Sequence, residues 1–244
     1  MTDTIVIIPS RLAATRLPNK PLLDIAGKPM IVHMWEKAVK ASNFEVYVAA
    51  GDEDIVKLIE SKGGKAILTD PNLPSGTDRI YEALTKIDPE GKFKYIINLQ
   101  GDMPNFDSNI LNEALQVLKN SNSDIGTLCA EITEEEAKKT SVVKPVFSEI
   151  KNNFAKALYF SRSLVPFGSE KFYHHLGIYS FTRDALTKFV NLPPSKLELQ
   201  EKLEQLRALE NGMTIGIGIT KYIPISVDTP EDLEYARKMM SNNL

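Results

Sequence analysis

The sequence predicts an α/β fold: a mostly parallel sheet with helices on both faces, joined by a smaller, more antiparallel lobe. Three observations carry this expectation. Short β-branched runs alternate with amphipathic stretches through the first part of the chain. Two of the runs, Ile5–Ile8 and Tyr95–Leu99, show little polar alternation, as strands buried on both faces do. From about Asp124 onward, strand-like segments follow one another with fewer helical stretches between them.

The elements are expected in this order. The first strand covers Thr4–Pro9 and leads into a cation-rich loop, then a helix over Met30–Lys40. Strands at Glu45–Ala50, Lys65–Thr69 and Tyr95–Gln100 alternate with helices over Asp52–Lys62 and Thr77–Ile87, each helix with apolar residues at helical spacing. The next strands are Ile125–Ile132, Val142–Ile150, Lys156–Ser161 and Leu176–Phe181. A long amphipathic helix over Lys196–Asn211 closes at Asn211-Gly212, an ordinary C-terminal stop. A strand at Thr214–Thr220 and a helix over Pro230–Met240 complete the chain. With no internal repeat, low-complexity tract or Gly/Ser linker, residues 1–244 are expected as one α/β domain, with about 125–194 inserted as the smaller lobe.

Composition narrows the function. With 244 residues, 43% hydrophobic and 25% charged, the chain is neither disordered nor fibrous. Cys129 is its one cysteine, which excludes a disulfide framework and a cysteine-based zinc site. A net charge of -3 argues against a nucleic-acid face. No apolar run approaches the roughly 18 residues of a membrane span. Met1-Thr2-Asp3-Thr4 runs into a strand without a basic region, so no signal peptide and a reduced, cytoplasmic setting are expected. The dinucleotide fingerprint, the P-loop and the Gly-x-Ser-x-Gly elbow are all absent, and Gly63-Gly64-Lys65 precedes a strand, the wrong context for a P-loop. His33, His174 and His175 lack a metal-ligand spacing, and His33 reads as packing on an apolar helix face.

Several segments have the residue types that chemistry needs. The loop after the first strand, Pro9 to Leu22, holds Arg11, Arg16 and Lys20 within an acidic protein, at the strand end where open α/β sheets bind ligands. A polyanion such as a triphosphate accounts for this concentration, Arg offering forked donors and Lys a point charge; a solvated loop is the competing reading. Asp102 follows the apolar strand ending at Leu99, and Asp228 stands just before Thr229-Pro230, which reads as N-cap and first helical residue. Glu231 and Asp232 belong to that first turn. Asp102 and Asp228 suit Mg²⁺, which takes one or two carboxylates plus substrate phosphates, while strand termination and an Asx turn are the plainer alternatives. Ser75-Gly76-Thr77-Asp78-Arg79 opens a helix whose free N–H groups suit an anion, or it is an ordinary cap.

Taken together, these segments resemble the 3-deoxy-manno-octulosonate (Kdo) cytidylyltransferase family over nearly the whole chain. The matching motifs are Ile8-Pro9-Ser10-Arg11, Thr15-Arg16-Leu17-Pro18-Asn19-Lys20-Pro21-Leu22, Gly27-Lys28-Pro29-Met30-Ile31, Ser75-Gly76-Thr77-Asp78-Arg79 and Gln100-Gly101-Asp102. They continue through Ala157 to Arg162, His175-Leu176-Gly177-Ile178-Tyr179, Lys202 to Arg207 and Val227 to Asp232. The resemblance implies a Rossmann-like nucleotidyltransferase sheet and a reaction in which CTP and Kdo give CMP-Kdo and pyrophosphate with Mg²⁺, for lipopolysaccharide biosynthesis. It also implies a homodimer built through the smaller, sugar-binding lobe, with no nucleic-acid or membrane partner. Carried over by motif, Arg11, Arg16 and Lys20 would hold the triphosphate, Lys20 near the α-phosphate, and Asp102 and Asp228 would bind the metal. Ser75 and Arg79 would help hold nucleotide, and Gln100 would serve both substrates. Arg162, His175, Tyr179, Glu204 and Gln205 would face the sugar acid, and the catalytic set would be Lys20, Arg11, Asp102 and Asp228.

The chain departs from the family pattern at three residues and in the length of one segment. Asn19 stands where Gly is usual, Met103 where Glu usually follows Gln-Gly-Asp, and Ser10 where Ala is common. The segment before His174 is also shorter than usual. The implied chemistry is in-line attack of the anomeric hydroxyl on the α-phosphorus, assisted by positioning and charge neutralisation. Competing readings are an enzyme for sialate or an amino variant of Kdo, a nucleotide-binding protein without catalysis, and a glycosyltransferase. The sialate first loop is not found here, and the glycosyltransferase Asp-x-Asp motif is replaced by Gly101-Asp102-Met103.

Overall fold

The structure, a computed structural model, describes residues 2–13, 17–41, 43–107, 109–151 and 153–241. Thr15 and Arg16, the latter expected at the triphosphate, lie outside the described residues. The chain forms two compact units, Met1–Leu111 with Pro224–Leu244, and Asn112–Ile223.

The first unit begins with β1 (Thr4–Ser10), a small hairpin of β2 (Asp24–Ile25) and β3 (Lys28–Pro29), and α1 (Met30–Ala41). There follow β4 (Glu45–Ala50), α2 (Glu53–Ser61), β5 (Lys65–Leu68), α3 (Gly76–Ile87) and β6 (Tyr95–Leu99). β1 pairs in parallel with β4 on one side and β6 on the other, and β4 pairs in parallel with β5. Every residue of β1 is buried, as its unbroken apolar run requires of a strand covered on both faces. Because β4 and β6 lie on opposite sides of β1, the C-terminal ends of β1 and β6 frame the switch point where such sheets bind ligands.

Helix α4 (Asn109–Ser121) leads into the second unit, which holds β7 (Ile125–Ile132), α5 (Glu134–Ala137), β8 (Lys144–Phe147), β9 (Phe154–Ser161) and β10 (Phe172–Thr182). Then come α6 (Arg183–Val190), α7 (Lys196–Glu201), α8 (Gln205–Glu210) and β11 (Ile215–Thr220). β7 is antiparallel to β10 and parallel to β11, and β9 is antiparallel to both β11 and β8. This is the more antiparallel texture expected beyond Asp124. The unit is longer than the 125–194 of the sequence reading, because β11 inserts between β7 and β9 and so belongs to this sheet. Gly126 lets α4 lie close on β7: a Cβ there would meet Leu118 N at 2.7 Å and Ala114 O at 2.9 Å. The chain returns to the first unit with α9 (Pro230–Ser241), whose Leu233 and Ala236 pack in a buried cluster with Leu17, Ile25, Met30 and Val227.

Three expectations change. The helix over Lys196–Asn211 is two helices, α7 and α8, because Lys202 adopts the left-handed conformation (φ 56°, ψ 49°), which an α-helix cannot pass through. The strand expected at Val142–Ile150 is confined to Lys144–Phe147. Asn109–Ser121 and Arg183–Val190, given no element above, are helices; Thr182 caps the second, its hydroxyl accepting from Ala185 N at 3.1 Å.

Candidate active site

In the first unit, the ends of β1 and β6 and the start of α3 enclose a cavity of about 310 Å³. Arg11, Lys20, Ser75, Arg79, Gln100, Asp102 and Asp228 all line it. Sequence reasoning placed every one of them at the nucleotide, the metal or the sugar acid, and the fold brings them to one place.

Backbone bonds explain how residues so distant in sequence converge. Val227 N donates to Asp102 O at 2.9 Å, which ties the turn after β6 to the segment before α9. That segment is held in turn by a reciprocal cap: Asp232 N donates to Thr229 Oγ1, and Asp232 Oδ2 accepts from the amides of Thr229 and Asp228. Asp232 is therefore structural, as its position in the first turn predicted. Lys20 enters through the turn at Asn19, which sits in the left-handed region at φ 57°, ψ 22°. Asn is among the few side chains that tolerate this conformation.

Lys20 Nζ lies 3.0 Å from Asp228 Oδ1 and 3.6 Å from Asp102 Oδ2. Burial pushes the Asp102 carboxyl above its usual range; the Lys20 ammonium opposes that shift and the Asp228 charge adds to it. Two carboxylates thus converge on one cation, a donor set that suits a hard divalent ion. Among the described residues no third His, Cys, Asp or Glu completes a metal cluster, so the other ligands would be water and phosphate. Met103 is buried at 2% exposure and belongs to the core, so no carboxylate is added at that position.

The other cavity residues are fixed to different degrees. Arg11 is exposed and makes a long contact of 3.5 Å to Leu73 O. Gln100 donates through Nε2 to Asn98 Oδ1 at 3.2 Å, and Asn98, fully buried in β6, donates to Thr77 Oγ1 at 3.2 Å. Gly76 leaves room for this amide, since a Cβ would stand 3.3 Å from Gln100 Nε2 and Oε1. Ser75 caps α3, accepting from Asp78 N at 3.1 Å. Arg79 is 2% exposed, and its guanidinium donates to Thr69 Oγ1 and to the carbonyls of Asp70 and Pro71. It therefore braces the loop after β5 as well as lining the cavity. His33 lies outside the cavity, with Nε2 2.7 Å from Ile25 O, in the packing role expected.

In the second unit, His175, Tyr179 and Gln205 form one network. Thr127 Oγ1 donates its single proton to Ile178 O at 2.7 Å, so it accepts from His175 Nε2 at 3.0 Å. His175 Nδ1 then accepts from Gln205 Nε2 at 3.5 Å, and Gln205 Oε1 accepts from the Tyr179 hydroxyl at 3.3 Å. Burial, with the neighbouring His174 adding, pushes His175 down to about 3, so the ring is neutral. The β10 register shifts between His175 and Tyr179, which re-aims these side chains. Glu204 stands at the start of α8. Arg162 follows β9 and is held by Glu201, a residue that no motif singled out: within Gln200-Glu201-Lys202 it reads as a solvated helix face. Thr127 was likewise missed, because a Thr in an apolar strand carries no signal of its partner.

Comparison with known proteins identifies the family. The sequence profile of the cytidylyltransferase family matches residues 5–215. The chain belongs to the cytidylyltransferase family. It is therefore a nucleotidyltransferase. A 3-deoxy-manno-octulosonate cytidylyltransferase of Parvibaculum lavamentivorans is 49% identical over 238 residues, 97% of this chain and 92% of the relative. One from Nitrobacter winogradskyi is 51% identical over 239 residues, 98% of this chain and 94% of the relative. Among solved structures, a CMP:2-keto-3-deoxy-manno-octonic acid synthetase complexed with CTP superposes with a TM-score of 0.90 at 37% identity, covering all of both chains. Among the described residues no helix is long and apolar enough to cross a membrane.

Proposed function

We propose that this cytidylyltransferase activates Kdo with CTP, giving CMP-Kdo and pyrophosphate for lipopolysaccharide biosynthesis. The observation that carries the reading is the convergence of Lys20, Asp102 and Asp228 in the cavity at the ends of β1 and β6. The names of the relatives, and the CTP held by the structural neighbour, support the choice of substrates.

In this reading the anomeric oxygen of Kdo bonds to the α-phosphorus of CTP as the α–β anhydride bond breaks. The electron pair leaves with pyrophosphate, and the hydroxyl proton passes to solvent. Lys20 and Arg11, with Arg16 from the same loop, offset the charge of the triphosphate and of the leaving group. Asp102 and Asp228 would hold Mg²⁺, whose contribution when bound is neutralisation of phosphate charge. Ser75, Arg79 and Gln100 line the nucleotide side. Arg162, His175, Tyr179, Glu204 and Gln205 face the sugar acid, Arg162 meeting its carboxylate, with Gln100 shared between the substrates. The second unit is the sugar-binding lobe and the homodimer contact, a role supported by the exposed apolar side chains of Phe167 and Leu164. The protein works in the cytoplasm, supported by a single, fully buried cysteine.

Pyrophosphate release from CTP and Mg²⁺, with Kdo, with sialic acid and with neither, tests the reading. Release with Kdo alone is expected. Release with sialic acid instead would reassign the substrate, and CTP binding without any release would make the chain a binding protein.

A further inference from the structure

Glu201, the last residue of α7, gathers the end of β9. Its carboxylate accepts from Ser161 Oγ at 2.7 Å, from Arg162 N at 3.0 Å and from the Tyr159 hydroxyl at 3.4 Å. Its main-chain carbonyl accepts from Arg162 Nε at 2.9 Å. The left-handed turn at Lys202 presents a second carbonyl, 3.5 Å from Arg162 Nη2, and Thr140 O takes Nη1 at 3.1 Å. The carbonyl of Arg162 itself accepts from Lys144 Nζ at 2.6 Å, a fully buried ammonium that also donates to Val142 O and Lys139 O.

Arg162 is thus fixed at its amide, its carbonyl and its guanidinium. Its guanidinium makes no direct bond to a side-chain carboxylate among the described residues. All three partners of the guanidinium are main-chain carbonyls, and among the described residues no carboxylate stands in ion-pair contact with it. The Glu201 carboxylate takes its direct hydrogen bonds from an amide and two hydroxyls. Of the five N–H groups of a guanidinium, three are engaged, which leaves one on each Nη. Two remaining donors on a fixed plane match the two oxygens of a carboxylate.

We propose that Glu201 is a positioning residue: it locks Arg162 so that the free pair of N–H groups receives the carboxylate of the sugar acid. The proposal rests on the reading above, in which Arg162 meets that substrate. Because the Glu201 carboxylate is taken up by the donors of Tyr159, Ser161 and Arg162, its effect is expected on sugar-acid affinity and not on nucleotide affinity.

The test compares Glu201→Gln, Arg162→Ala and the double variant with the wild-type enzyme, measuring KM for Kdo, KM for CTP, kcat and Tm. Glu201→Gln keeps the shape but loses the charge and one acceptor, and a rise in the KM for Kdo of about tenfold is expected, with the KM for CTP unchanged. Arg162→Ala is expected to raise it at least as far, and the double variant no further. If Arg162→Ala raises the KM for Kdo and Glu201→Gln does not, positioning is overturned while the sugar-acid reading stands. If Arg162→Ala leaves it unchanged, Arg162 is not the sugar-acid contact and both fall. Equal losses for the two substrates with a lowered Tm would make Glu201 merely structural. Should Glu201→Gln fail to fold, Ser161→Ala, which removes one donor of the same clip, is expected to raise the KM for Kdo selectively, and no rise would overturn the proposal.

Discussion

Lys20, Asp102 and Asp228 show how little local sequence says about a site built from three single residues. Each has an ordinary alternative role, and what removes the ambiguity is that one ammonium lies within 3.6 Å of both carboxylates. Substituting Asp102 by Asn keeps the side-chain volume and removes a charge. Turnover is expected to fall about 10²-fold, as when one electrostatic stabiliser is lost; steady-state kinetics across a Mg²⁺ series would check it. Near wild-type turnover at saturating Mg²⁺ would discard Asp102 as a metal ligand. Asn19 is a residue-scale case in which backbone conformation limits the side chain. A backbone at φ 57° accepts Asn where it would refuse a β-branched side chain, so the loop keeps its path without Gly.

At the scale of elements, the corner between α7 and α8 organises much of the second unit. Arg207 donates from Nε to Glu198 Oε2 at 2.9 Å and from Nη2 to Oε1 at 2.6 Å, a buried two-point pair, and its guanidinium lies 4.9 Å from the Phe189 ring centre. Glu198 also accepts from Ser195 N at 2.9 Å, so the same carboxylate caps α7 and anchors α8. Replacing Arg207 by Met would leave that carboxylate buried without its cation. A loss of about 3–5 kcal/mol is expected, read from urea unfolding midpoints. The double change of Glu198 to Gln and Arg207 to Met would recover part of it, since no buried charge remains. The Lys202 break follows from the same contacts: a straight helix could not bring Arg207 back to Glu198 and also present two carbonyls to Arg162.

At the scale of the whole molecule, His175 couples stability to pH. The unfolded chain takes up a proton on this imidazole near 6.5, whereas the folded chain does so only near 3. Between those values the unfolded state holds more protons, so stability present at neutral pH is lost as pH falls through the window, by at most about 1.4 kcal/mol per unit. Burial lowers His174 in the same direction. Urea midpoints at pH 7 and pH 5 should therefore fall more steeply for the wild type than for His175→Gln, and equal slopes would show that the buried ring is not the cause. Much of the architecture was legible in the chain itself. The apolar runs of β1 and β6 marked central strands because a strand covered on both faces has no polar side, and Thr229-Pro230 marked the start of α9 because capping is local. The cationic first loop and the acids after β6 and before α9 were legible as residue types in suitable places. What only the tertiary structure decided is who meets whom: Lys20 with Asp228 across 208 positions, Glu201 with Arg162 across 39, His175 with Thr127 across 48. The reason is physical: periodicity and caps act between neighbours in the chain, whereas these bonds become favourable only after packing has removed water and brought distant elements within 3 to 4 Å.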